Sequence, residues 1–170
     1  MTTLAAPPSA TWIGSKLVDL QACLCQALID RGGGGVCYCA VVTGEVDGSL
    51  CGSCDGEGDC GMAYVRIVRG FVYDAFPDNT GLANCALSPG FTIEAGVLRC
   101  LPVDETGAPL SSADSLDVSL QVAADMQAIY WALSCCFDVG DGQMLINAWE
   151  PSGPDGGCVG GFWTMEIGTV

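Results

Sequence analysis

Twelve cysteines stand in this 170-residue chain, and no histidine stands beside them. That pairing narrows the available chemistry more than any other feature. Without imidazole there is no Ser-His-Asp or Cys-His catalysis, and no zinc site that uses histidine. The thiols come as Cys23-x-Cys25, Cys37-x-Cys39, Cys51-x-x-Cys54, Cys60, Cys85, Cys100, Cys135-Cys136 and Cys158. Such density is near that of disulfide-stapled secreted domains. Yet Met1 to Ala10 has no positive n-region and no long apolar h-region, so a secretory leader is not expected. Two settings satisfy this pattern: reduced thiols in a cytosol, or an oxidising destination reached by another path, such as a virus particle released by lysis.

Three readings of the cysteines compete. Cys37, Cys39, Cys51, Cys54 and Cys60 could supply four thiolates to zinc. A Cys-x-Cys pair on a strand, however, points both sulfurs the same way about 7 Å apart, and a standard pair of Cys-x-x-Cys knuckles is absent. Cys51-Gly52-Ser53-Cys54 looks like a thioredoxin-type redox run, which needs a helix N-terminus beneath its first sulfur. Here Asp55-Gly56-Glu57-Gly58-Asp59 follows instead, and nearby carboxylates disfavour a thiolate. The third reading is structural: Cys37, Cys39, Cys51, Cys54, Cys60, Cys85 and Cys100 as crosslinks or packed thiols that fix long loops. Each crosslink contributes about 2–4 kcal/mol by restricting the unfolded chain. Cys85 with Cys100 is the pairing suggested by proximity across one loop.

The charge balance excludes a further class. Twenty acidic residues face five basic ones, for a net charge of −15, while half of the residues are hydrophobic. The apolar content is that of a folded chain. Lys16, Arg31, Arg66, Arg69 and Arg99 are scattered, and an electrostatic grip on nucleic acid needs such residues clustered. No apolar run approaches the roughly 18–20 residues that span a bilayer.

Residues 1–11 read as an N-terminal arm, and residues 12–170 as a single domain. From Trp12 an apolar stripe of Ile13, Leu17, Leu20, Leu24 and Leu28 predicts a helix, ended by Gly32 to Gly35. Val36 to Thr43 reads as a strand. Residues 44–61 form a long acidic, cysteine-bearing loop with Glu45, Asp47, Asp55, Glu57 and Asp59. Met62 to Tyr73 is the strongest strand pattern, with Val65, Ile67, Phe71 and Tyr73 on one parity. A loop over 74–90 precedes a strand from Phe91 to Leu101. Ser111, three residues before Asp114, signals the start of a second helix running to about Cys136. That helix is apolar over most of its circumference, as expected where more than one side is covered, by a sheet and by another helix or a neighbouring subunit. Gln143 to Glu150 reads as a strand, Pro151 to Gly157 as a turn, and Phe162 to Ile167 as a last strand. The fold class is therefore α+β: one mixed, mainly antiparallel sheet of about five strands with two helices packed on it.

Other motifs fail on their chemistry. Asp55, Glu57 and Asp59 begin a calcium-like spacing, but Cys60 takes the position of the turn glycine and Arg66 that of the closing glutamate. Gly153 to Trp163 is glycine-rich but offers no lysine and no helix N-terminus for phosphate. Trp12, Trp131, Trp149 and Trp163 read as core packing before interface anchors. No cofactor is implied, and no catalytic constellation is present in the sequence.

Three stretches carry a resemblance: Cys60-Gly61-Met62-Ala63-Tyr64-Val65-Arg66, Ala95-Gly96-Val97-Leu98-Arg99-Cys100-Leu101-Pro102, and Gly153 through Trp163. They look like cysteine-rich neck proteins of long-tailed phages that infect actinobacteria. The order helix, three strands, helix, two strands is similar to that of the tail terminators of lambda-like siphophages, over roughly residues 12–168. The cysteines depart from those terminators. The resemblance implies a non-enzymatic virion protein, assembled in the host cytoplasm, that closes into a homo-hexameric ring at the head–tail neck. Its implied partners are the major tail tube protein and the head-to-tail stopper or connector proteins. Phage DNA would pass through the lumen without specific binding, and no membrane is involved. Acidic walls repel phosphate and leave a passing duplex no stopping point, which makes Glu45, Asp47, Asp55, Glu57 and Asp59 the candidate lumen or interface residues. Another neck component (adaptor or stopper) and a small cysteine-rich zinc-binding module are the alternatives.

Overall fold

The computed structural model describes residues 8–46, 61–79, 88–102, 110–138, 140, 142–155 and 157–168. Two helices, α1 (Pro8–Arg31) and α2 (Ser112–Cys135), accompany strands β1 (Tyr38–Val41), β2 (Gly61–Ala75), β3 (Asp78–Asn79), β4 (Ser88–Cys100), β5 (Gln143–Asp155) and β6 (Cys158–Gly168). The sheet runs β1-β2-β4-β6-β5, and β3 folds back on β2 off this path. β1 lies parallel to β2, and the other pairings are antiparallel. The result is the expected α+β domain, with both helices on one face of a mixed, mostly antiparallel open sheet.

The stripe read from the sequence is the buried side of α1: Ile13, Leu17, Leu20, Leu24 and Leu28 are all buried. They meet Ala63 and Val65 of β2, Ile93, Ala95 and Val97 of β4, Met165 and Ile167 of β6, and Ala128, Ile129, Ala132 and Leu133 of α2. α1 starts at Pro8, so residues 8–11 belong to the helix and not to the arm. Proline is accepted in a first helical turn, where its missing N–H would have no partner anyway. α2 starts where its cap predicts, with the Asp114 amide donating to Ser111 Oγ at 3.2 Å.

Two departures from the expected strands have clear causes. The register of β2 on β4 shifts between Ile67 and Arg69, so one extra residue, Val68, reverses the alternation. Val65 therefore faces the helices, while Phe71 and Tyr73 lie with Gly90 on the opposite face, contrary to the single parity expected for all of them. β5 runs through Pro151 and Pro154, where a turn was expected, and pairs Pro151 with Gly161 and Ser152 with Gly160. Proline fits there because β5 is an edge strand, whose outward amides need no ladder partner. The chain reverses at Gly157, whose φ of +80° suits glycine.

The sheet face away from the helices carries aromatic rings laid over glycines. A Cβ on Gly96 would stand 2.6 Å from Tyr64 Oη, and one on Gly90 would stand 2.6 Å from the Phe71 ring. Tyr64 and Gly96 are direct register partners, as are Phe71 and Gly90. Each ring covers a glycine across the ladder, which restores packing that the missing side chain would leave open.

Candidate functional site

Three groups of residues stand out once the fold is in place. The first lies on the sheet face away from the helices, at the start of the acidic loop. Glu94 of β4 is buried and accepts from three donors: Tyr64 Oη at 2.9 Å, Arg66 Nε at 2.9 Å and Arg66 Nη2 at 2.8 Å. Burial first, then the Glu94 charge and hydrogen bond, push the Tyr64 hydroxyl well above its ordinary range. The hydrogen bond to Glu94 holds the Arg66 guanidinium protonated more firmly still, with Glu45 adding to the effect. Arg66 Nη1 also donates to the Gly44 carbonyl at 2.7 Å. The first residues of the loop are thus pinned to the sheet by a cation that lies outside the loop in sequence. Next along this face, Arg69 donates to Thr92 Oγ1 and to Glu166 Oε1, each at 3.0 Å. Among the described residues no buried side-chain polar atom lacks a hydrogen-bond partner, which is the arrangement of a structural network.

The second group fixes the helices to the sheet. Arg99 and Asp125 are both buried, joined by Nε to Oδ2 at 2.9 Å and Nη2 to Oδ1 at 2.8 Å. Arg99 also donates to the carbonyls of Gly34 and Gly35. Asp125 Oδ1 accepts from the Gly33 amide at 2.7 Å, and Gln121 Nε2 donates to the Gly33 carbonyl at 2.9 Å. The glycine run that ends α1 is therefore threaded through a polar clamp between α2 and β4. A Cβ on Gly32 would stand 2.8 Å from Asp125 Oδ1, and Gly34 has a φ of +107°. The run is glycine because backbone, not side chain, fills this clamp.

The disulfides extend the same anchoring. Cys23 of α1 joins Cys136 at the end of α2, with Cα atoms 6.3 Å apart, and Cys25 joins Cys39 of β1, with Cα atoms 6.2 Å apart. Cys37, Cys100 and Cys158 are disulfide-bonded as well. Cys37 and Cys39 therefore have no thiolate to give a four-thiolate zinc set. Cys135 is exposed and is the free cysteine among the described residues. The candidate structural set named Cys37, Cys39 and Cys100 but missed Cys23, Cys25, Cys136 and Cys158. The i, i+2 spacing of Cys23 and Cys25 turns them to different sides of α1, one toward α2 and one toward β1, and that was the available signal. Cys51, Cys54, Cys60 and Cys85 lie outside the described residues, as does the suggested pairing of Cys85 with Cys100.

Of the candidate lumen residues, Glu45 is exposed and follows the carbonyl held by Arg66. Asp47, Asp55, Glu57 and Asp59 lie outside the described residues.

The third group is the outer face of α2, which sequence reasoning expected to be covered. Leu116, Leu120 and Tyr130 are 58%, 59% and 48% exposed. Beside Tyr130 lies a half-open hollow of about 520 Å³, lined by Arg31, Met126, Gln127, Tyr130, Trp131 and Trp163. Trp163 Nε1 donates to the Met126 carbonyl at 3.0 Å, and its ring stands 5.4 Å from that of Tyr130. The Arg31 guanidinium sits 4.3 Å from the Trp131 ring centroid, a cation–π geometry. No group of metal-binding side chains occurs among the described residues. No known protein-family model and no characterised protein matches this sequence.

Proposed function

We propose that this chain is a structural virion subunit, a tail terminator that closes into a six-membered ring at the head–tail neck. In this reading the ring stops growth of the tail tube, docks the head connector, and lets DNA pass through an acidic lumen. The supporting observation is a sheet that, among the described residues, is open to pairing at both ends. At one end β5 is the outer strand, and its stretch Gln143 to Trp149 holds no charge and no proline, with Leu145 42% exposed. At the other end β1 covers only Met62 to Val65 of β2. Beyond it, Ile67 and Val68 are exposed, and among the described residues no strand pairs that edge until β3. Two different open surfaces at opposite ends of one sheet are what head-to-tail closure of a ring requires. An undefended apolar edge in a protein of this size otherwise invites aggregation.

The open mixed sheet with two helices on one face favours a terminator over the other neck components, since adaptors are mostly helical and stoppers are small β-barrels. Disulfides at Cys23, Cys25, Cys39 and Cys136 suit a particle that persists outside the reducing cell. Negative-stain imaging of tail tubes assembled with and without the protein tests the reading. The expected result is tubes of fixed length capped by an added ring. Tubes that keep growing, with no added density in the presence of the protein, overturn it.

A further inference from the structure

Leu116, Leu120, Ala123, Gln127, Tyr130 and Ser134 recur at intervals of four, three, four, three and four. That is the spacing of a coiled-coil seam. The opposite side of α2 buries Asp125, Ala128, Ile129, Ala132 and Leu133 against the rest of the fold, so the seam points outward. We propose that α2 packs antiparallel against α2 of a second copy of this chain, about a two-fold axis between Ala123 and Gln127. This inference uses the helical layer, not the sheet edges, and stands apart from the ring reading.

Charge selects both the occupant and the direction. Arg66, Arg69 and Arg99 each hold a carboxylate. Arg31 makes no ion pair among the described residues, although the chain has 20 carboxylates for five cations, and it lies on Trp131 at the edge of the hollow. Asp117 is exposed on α2 and also makes no ion pair among the described residues. Asp117, Gln121, Ala124 and Trp131 run along one flank of the seam, at helical intervals of four, three and seven. That flank faces α1, as the bond from Gln121 to the Gly33 carbonyl shows.

In an antiparallel two-fold pair, like flanks face each other. Arg31 over Trp131 then meets Asp117 of the second copy, and the symmetry makes the contact twice. Leu120 of the second copy comes opposite Tyr130, beside the hollow, where an aliphatic knob of that size fits. A parallel pair would set this flank against the opposite flank of the second copy, leaving Arg31 and Asp117 unmatched, and would align the two helix dipoles unfavourably. Within one chain Asp117 and Trp131 are roughly 21 Å apart along the helix axis, so Arg31 and Asp117 cannot meet without a second copy.

Sedimentation equilibrium of the full chain over a wide concentration range tests this, with circular dichroism to confirm that each variant is folded. The expected species has twice the 17.4 kDa chain mass. Leu120→Glu should abolish it. Arg31→Glu and Asp117→Arg should each weaken association about tenfold, since the pair occurs twice, and the double variant should recover most of the loss. A monomer at all concentrations overturns the proposal. So does association that Leu120→Glu leaves unchanged, or a charge reversal that the double variant fails to rescue. A ring on tail tubes without a dimer in solution would sink this inference and leave the ring reading untouched.

Discussion

Arg99 on β4 grips Asp125 on α2 through two parallel hydrogen bonds of 2.9 and 2.8 Å, and both side chains are buried. The pair also holds the backbone at Gly33, Gly34 and Gly35, so one contact joins both helices to the sheet. Removing one member leaves a buried charge without its partner. Asp125→Ala should therefore cost about 3–5 kcal/mol. Replacing both by apolar residues should not restore wild-type stability, because the glycine carbonyls would then lose their donors. Urea unfolding reads both quantities. A loss under 1 kcal/mol for Asp125→Ala would remove the clamp from this account.

The glycines beneath the aromatic rings predict a graded response. Gly96→Ala drives a methyl to 2.6 Å from Tyr64 Oη and 2.9 Å from Phe162 Cβ, whereas at Gly70 the nearest atoms stand at 3.9 Å. Gly96→Ala should destabilise by about 1–3 kcal/mol, as overpacking does. Gly70→Ala should be within about 0.5 kcal/mol of wild type, the usual range for a surface change. Thermal melts of the two variants side by side decide the matter, and equal melting temperatures would contradict it.

Much of this architecture is legible in the sequence, and the exceptions share a cause. The stripe from Ile13 to Leu28 and the cap at Ser111 are local patterns, so they mark their helices directly. The bulge at Val68 leaves no local trace, because one extra residue changes facing without changing composition. Pro151 breaks a central strand but not an edge one, and strand order is not a local property. Arg99 and Asp125 are 26 residues apart, and nothing in the chain marks two separate charges as partners. The broad apolar surface of α2 was visible. That its outer half faces away from the fold became visible only with the helix seated on the sheet.

The disulfides should differ in worth according to the chain they enclose. Cys23–Cys136 spans a sequence separation of 113 and Cys25–Cys39 one of 14. On loop-closure entropy the first contributes about 4–5 kcal/mol and the second about 3 kcal/mol. Cys23→Ala with Cys136→Ala should lower the urea midpoint more than Cys25→Ala with Cys39→Ala. The reverse order would mean that native packing around α1 and β1, and not the unfolded chain, sets the value of these bonds.

Tyr64 makes the fold sensitive to alkali. Its hydroxyl is held protonated above the ordinary value of 10.0 by burial and by Glu94. Above about pH 10 the unfolded chain releases this proton while the native chain retains it. The sign follows from linkage: the stabilisation is complete below pH 10 and declines as pH rises beyond it. Tyr73, also raised by burial, acts in the same direction. Tyr64→Phe should lose about 1–2 kcal/mol at neutral pH, because Glu94 keeps its two Arg66 bonds and gives up only the phenol. It should then show a shallower fall in stability above pH 10, having one less group to ionise on unfolding. Urea midpoints from pH 8 to 11.5, with free thiols, Cys135 among them, alkylated to prevent exchange, give both slopes, and tyrosinate absorbance follows the ionisation itself. Parallel alkaline slopes in the two proteins would show that Tyr64 ionises in the folded chain as freely as in the unfolded one, and the buried Glu94 network would have to be reassigned.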